Sequence, residues 1–157
     1  MLMNKHSKLP REQAGVMLLE ALIAILVFSL GILSLVALQA TSIKLTGDAK
    51  YRTDATLLAN RLIGQMWVSG GDLATLAANF ASAGPGAAYT AWLSDVAGTE
   101  GLPGVVAASS GVVSTLPTVT VDGAGVVEIT LFWRTPEMAT DVPGHRHVVV
   151  SQVVRNP

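Results

Sequence analysis

The residues best suited to metal chemistry lie near the end of the chain. His145 and His147 are two positions apart, so both imidazoles would lie on one face of a β-strand, and Asp141 stands four residues before His145. A His-x-His pair is weak evidence for a metal site, because metal-binding motifs combine more ligands at fixed spacings. We therefore expect polar residues at the mouth of a strand and no metal or other cofactor, and keep His145, His147 and Asp141 as weak candidates.

Motifs for enzymatic chemistry are missing from the sequence. It contains no G-x-S-x-G elbow, no phosphate-binding loop and no H-E-x-x-H motif, and its acidic residues form no obvious acid/base pair. The absence of cysteine excludes thiol nucleophiles, thiolate metal sites and disulfides. We therefore expect that the protein is not an enzyme and has no catalytic residues. A net charge of −1 offers no basic field for phosphates, so no nucleic-acid partner is predicted.

The apolar residues are concentrated near the N-terminus. Hydrophobic residues make up 50% of the chain and charged residues only 13%, and residues 21–43 contain no charge. As a helix this stretch would be about 35 Å long, enough to cross a hydrocarbon core of about 30 Å. A cleaved signal peptide is a weaker interpretation because its apolar region has about 7–15 residues. A buried helix is weaker too, because a run that is apolar on all sides needs a large protein around it.

A short basic segment precedes the apolar stretch. Lys5, His6, Lys8 and Arg11 stand against the single acidic residue Glu12. Positive charge beside a membrane span stays on the cytoplasmic side, so the rest of the chain is predicted to be exported.

One acidic residue directly precedes the apolar stretch. Glu20 would cost roughly 2.5–3.5 kcal/mol in a membrane helix on insertion scales, so such a residue usually has a partner and a purpose. Gly15 stands five positions before Glu20, and residues 16–19 are apolar. The ordered set of basic leader, glycine, apolar residues and glutamate resembles the type IV pilin-like family, with its class III prepilin signal. An ordinary signal anchor with a stray Glu20 is the alternative.

The resemblance implies processing and assembly roles for three residues. In that family a membrane peptidase cuts after the glycine and methylates the new amine, which places cleavage between Gly15 and Val16 and N-methylation on Val16. Glu20 would serve subunit assembly, because its carboxylate can meet the amine of a neighbouring subunit in the fibre. The implied partners are the prepilin peptidase, the major pilin and other minor pilins, the inner-membrane assembly platform and membrane lipid.

The pattern after the apolar stretch predicts an amphipathic helix joined to a small head. Apolar residues recur at spacings of three and four, which favours one continuous helix from about Met17 to Trp67. Their positions are Tyr51, Ala55, Leu58, Leu62 and Met66. A short helix is predicted over Ala87–Ala97, with Trp92 and Leu93 on its apolar side.

Three strands are predicted in the C-terminal half. A period of two over residues 127–134 is typical of a strand: Val127, Ile129, Leu131 and Trp133 alternate with Glu128, Thr130, Phe132 and Arg134. Residues 116–121 and 147–154 are predicted to form the other two strands. The loop 135–144, with its two prolines, would connect the strands that flank it.

The predicted fold is α+β and pilin-like, with a long N-terminal helix packed on a small antiparallel sheet. Its expected divisions are a cleaved leader (1–15), a transmembrane assembly helix (16–43), an amphipathic helix half (44–68) and a periplasmic head (69–157). The head most resembles PilV-type minor pilins, in the spacing of Trp92 and Leu102-Pro103-Gly104, the strand that contains Phe132-Trp133 and the valine-rich last strand. Many pilins close this region with a disulfide, whereas here packing, hydrogen bonds or a metal must hold the loop.

The function expected from the resemblance is that of a minor pilin, a structural subunit of a type IV pilus or its initiation complex. Such a subunit promotes pilus assembly and serves adhesion or twitching motility. It would lie in the bacterial inner membrane as a single-pass protein with a periplasmic head, and then in the cell-surface pilus. Two alternatives stay open: a minor pseudopilin of type II secretion, and a single-span, membrane-anchored periplasmic binding module.

Overall fold

The structure is a computed structural model that describes residues 12–154, with side chains described for 15–154. Its elements are α1 (Glu12–Ser69), α2 (Leu73–Phe80), α3 (Ala87–Val96), β1 (Thr118–Val121), β2 (Val126–Trp133) and β3 (His145–Gln152). The chain divides into two compact units, Met1–Thr46 and Gly47–Pro157. The part of α1 from Gly47 to Ser69 therefore belongs to the same unit as the sheet, which we call the head unit.

Helix α1 confirms the prediction of one continuous helix. It is 58 residues long and exceeds the predicted bounds by a few residues at each end. Gly31, Gly47 and Gly64 all lie within it. A glycine inside a helix lowers helix stability by about 1 kcal/mol relative to alanine. The helix formers around these glycines offset that cost, and α1 continues through all three positions.

The head-unit part of α1 buries one stripe of side chains. Ala55, Ala59 and Leu62 are completely buried, and Met66 is almost so. Spacings of three and four place these side chains on one face of the helix, as predicted. They share a single hydrophobic cluster with β1 and β2, so burial of this stripe fixes the sheet against the helix.

Helix α2 was not predicted, although Leu73, Leu76 and Phe80 recur at helical spacings of three and four. Asp72 caps its first turn: the carboxylate Oδ1 accepts a 2.8 Å hydrogen bond from the Thr75 N–H. A hydrogen bond from the Thr75 side chain, together with this backbone hydrogen bond, lowers the pKa of Asp72. Leu76 and Phe80 are the buried side chains of α2. This spacing, together with Asp72, a residue type favoured at helix N-caps, was the available signal in the sequence.

Helix α3 confirms the predicted short helix to within one residue. Trp92 is 1% exposed, and its indole Nε1–H donates a 2.9 Å hydrogen bond to the Leu58 carbonyl of α1. The Tyr89 hydroxyl donates a 2.7 Å hydrogen bond to the Pro117 carbonyl, and burial raises the pKa of Tyr89. These two polar atoms link α3 to α1 and to the residue before β1.

The three strands form an antiparallel meander in the order β1-β2-β3. Strand β1 begins two residues later than predicted, because Pro117 has no N–H to donate to a ladder. Strand β3 begins two residues earlier, because His145 pairs with Trp133, and it ends at Gln152. The N–H groups of Val153 and Val154 donate to the Gly125 carbonyl beyond the ladder.

Replacing Trp92 with alanine should strongly destabilise the head unit. The variant loses a buried indole and its hydrogen bond to the Leu58 carbonyl, so we expect a loss of roughly 3–5 kcal/mol in the free energy of unfolding. Trp67→Ala is the matched control, because Trp67 is 57% exposed and should change stability by less than about 0.5 kcal/mol. Denaturant unfolding followed by near-ultraviolet circular dichroism measures both, and equal effects would refute the packing described here.

A fragment that lacks Met1–Lys44 should fold by itself. The division of the chain after Thr46 leaves the buried stripe of α1 with the sheet, and every residue of the main hydrophobic cluster lies beyond residue 50. We expect a monomer on gel filtration with mixed helix and sheet by circular dichroism. A disordered spectrum would show that the head unit requires the apolar part of α1.

Candidate functional site

The segment from Gly15 to Glu20 lies within α1. Val16 and Glu20 are four residues apart, so they lie on one face of the helix, about 6 Å apart along its axis. The side chain of Val16 is 65% exposed, and a Cβ added at Gly15 would meet no atom within 4 Å. Nothing in the fold of the described chain therefore requires glycine at position 15.

The Glu20 carboxylate has no partner within the described side chains, 15–154. Neither a hydrogen bond nor an ion pair joins it to another of these residues, and the side chains before and after it are apolar and exposed. An isolated carboxylate on such a surface is unfavourable in lipid. Within side chains 15–154, therefore, this carboxylate is left without a partner.

The apolar part of α1 is exposed along its whole length. Helix Gly15–Ser69 is, among the described residues, the one helix that meets the length and composition of a membrane span, with a mean hydropathy of 2.8 in its most apolar window. Core helices and N-terminal signal sequences can meet the same criterion, but none of this window is buried. The helix is thus suited to act as a membrane anchor.

Hydroxyl groups inside the apolar stretch satisfy their own hydrogen bonds. Ser29, Ser34 and Thr41 each donate to the backbone carbonyl four residues earlier, at 2.7, 2.9 and 3.1 Å. Such back-bonding removes the need for water, so these side chains are compatible with lipid. The residue types in the sequence hinted at this property, but only the helix geometry shows it.

The two histidines considered for metal binding face the same side of the sheet but contact different residues of α1. Nε2 of His147 lies 3.1 Å from the Thr56 hydroxyl, whereas Nε2 of His145 lies 4.0 Å from the Asp48 carboxylate. His145 also stacks on Trp133, with ring centroids 5.7 Å apart. The expectation of a shared strand face is met, and the partners are two helical turns apart.

Asp141 does not join these histidines. It is exposed in the loop between β2 and β3, and within residues 15–154 no group of three histidine, cysteine, aspartate or glutamate side chains is close enough to hold a metal ion. Hydrogen bonds hold the loop instead. The Val113 N–H donates to the Thr140 carbonyl at 2.9 Å, and Arg134 Nη2 donates to the Val142 carbonyl at the same distance.

Comparison with known proteins identifies no relative. The chain matches no protein-family model, no curated protein and no solved structure.

Proposed function

We propose that the protein is a minor pilin, a structural subunit of a type IV pilus or of its initiation complex. In this proposal the prepilin peptidase removes residues 1–15 and methylates Val16, and the helix first anchors the subunit in the inner membrane. The subunit then enters the fibre beside the major pilin and other minor pilins by way of the assembly platform. Adhesion and twitching motility are the processes that such a fibre serves.

The observation that carries the proposal is the Glu20 carboxylate, unpartnered within the described side chains, one helical turn from the Gly15–Val16 bond. Cleavage of that bond would create an α-amino group at the N-terminus of α1. A positive charge there is unfavourable beside the helix dipole, and a nearby carboxylate offsets it. When helices pack in a fibre, the amine and a carboxylate of a neighbouring subunit can neutralise one another among apolar side chains.

Surface fractionation tests this function. Sheared surface fibres and inner membranes are blotted for the chain in cells with and without prepilin peptidase. The proposal expects a shorter form in the fibres of normal cells, and only the full-length form, confined to the membrane, in cells without the peptidase. A chain of one length in both strains that never leaves the membrane would contradict it.

A minor pseudopilin of type II secretion is the second candidate, because the same segment and helix would serve it equally. Deletion of the gene separates the two functions. Loss of surface pili and twitching with normal enzyme secretion supports the pilus, whereas the converse supports the secretion system.

A single-span binding module is the third candidate, and a specific observation favours it: the head unit contains an open groove of about 450 Å³. A receptor would keep its leader or lose the whole apolar segment. The position of the mature N-terminus therefore separates it from both pilin functions.

A further inference from the structure

The groove in the head unit lies between the turn after α3 and the loop that joins β2 to β3. Its volume of about 450 Å³ lies within the range of roughly 300–1,000 Å³ that is usual for ligand pockets. Its walls are mostly apolar and include Val106, Val112, Pro136 and Met138. The groove opens to solvent, so an extended chain can enter it from outside.

Arg134 is the charged residue of this groove. It is only 6% exposed, and its Nη2 donates to the carbonyls of Val113 and Val142 at 3.2 and 2.9 Å. The buried Nε has no hydrogen-bond partner among the described residues. A guanidinium has five N–H donors and stays charged, so this one is placed to receive an anion.

The backbone around Arg134 is fixed before any ligand arrives. The Arg134 N–H donates to the Pro103 carbonyl at 2.9 Å, and Gly104 has a φ of +65°, where a Cβ would come within 2.7 Å of the Arg134 carbonyl oxygen. The buried hydroxyl of Thr115 accepts from the Val106 N–H at 2.8 Å and donates to the Gly104 carbonyl at 2.5 Å. Such a wall loses little freedom when a ligand binds.

We propose that this groove binds the C-terminal carboxylate of an extended peptide whose last residues are apolar. A guanidinium binds a carboxylate through charge-assisted hydrogen bonds that are often bidentate. Because the walls of the groove are apolar, the residues next to that carboxylate must have apolar side chains. The lining also offers peptide chemistry, because the N–H of Ala107 has no partner among the described residues and Ser109 and Thr135 line the same groove. The site does not depend on assembly into a fibre.

A peptide pair tests the ligand chemistry on the full chain in lipid nanodiscs. One fluorescein-labelled peptide ends in leucine and valine with a free carboxylate, and the other is its C-terminal amide. Fluorescence polarisation should show saturable binding of the acid and binding of the amide weaker by about tenfold or more, since the charge-assisted contact is lost. Equal binding of acid and amide, or binding of neither, overturns the proposal.

Variants test the location. Ala107→Phe fills the groove from an exposed position and should abolish binding, whereas Ala97→Phe, an exposed alanine outside the groove, should leave it unchanged. Arg134→Lys keeps the charge but loses the planar fork, so it should weaken the acid peptide alone. Arg134 also holds two loops together through its hydrogen bonds to Val113 and Val142, so Arg134→Lys could misfold. In that case the result with Ala107→Phe decides whether the peptide binds in this groove. Unchanged binding by Ala107→Phe, or hexanoate competing as well as unlabelled peptide, overturns the peptide site.

Discussion

A chain carrying Gly15→Val should remain full length and accumulate in the membrane. In the proposed function the peptidase must approach the backbone of the Gly15–Val16 bond closely, and a side chain at position 15 obstructs that approach. Processing is followed by the mobility of the chain on immunoblots of membrane fractions. We expect loss of essentially all mature form, and hence of all chain in sheared fibres.

The Gly15→Val substitution should leave the described structure undisturbed, so a loss of processing would be due to the cleavage site itself. A Cβ at position 15 meets nothing within 4 Å, and the same is true of Gly31 in the same apolar part of α1. Gly31→Val is therefore the matched control: it adds the same side chain to the same helix and should leave processing intact. If both variants are processed normally to a chain that begins at Val16, the proposed cleavage signal is wrong.

Glu20→Gln should separate processing from assembly. In the proposed function the peptidase needs mainly the glycine and the basic leader, so cleavage should proceed. Membrane insertion should be as good or better, because a neutral amide costs less in lipid than a carboxylate. Incorporation into the fibre should fail, since an amine buried among apolar helices would lose its charge partner at a cost of roughly 3–5 kcal/mol.

A loss of that size amounts to roughly a hundredfold or more in the equilibrium for incorporation, at about 1.4 kcal/mol for each tenfold. Glu128→Gln is the matched control, because Glu128 is an exposed carboxylate on β2 and has no role in this pairing. Sheared fibres and membranes are blotted for wild type and both variants. Normal processing together with normal incorporation of Glu20→Gln would contradict the pairing mechanism.

The long helix could be predicted from sequence because its signals are local. Residues 21–43 are uncharged over several helical turns, and the apolar stripe from Tyr51 to Met66 recurs every three or four residues. Both patterns can be recognised without knowing any contact between distant residues. The alternation in β2 is a similar local signal. Its side chains at 127, 129, 131 and 133 are all buried, as alternation predicts, but Thr130 on the opposite face is buried as well.

Other features depend on contacts between distant residues. Helix α2 is only eight residues long, and it is placed by its Asp72 cap and by burial of Leu76 and Phe80. The groove around Arg134 is built by residues about 20–30 positions apart in sequence, so Arg134 looks like an ordinary polar residue at the end of a strand. For the histidine pair, the spacing predicts that both side chains lie on one face of β3. It does not predict that each contacts a different residue of α1.

The proposed function depends most directly on the residue at which the mature chain begins. Intact-mass spectrometry of the protein recovered from sheared surface fibres measures this and shows at the same time whether the chain is in the fibre. We predict the mass of residues 16–157 plus one methyl group. A mass that retains the leader, a chain that starts beyond the apolar stretch, or absence of the chain from the fibres would contradict the proposed function.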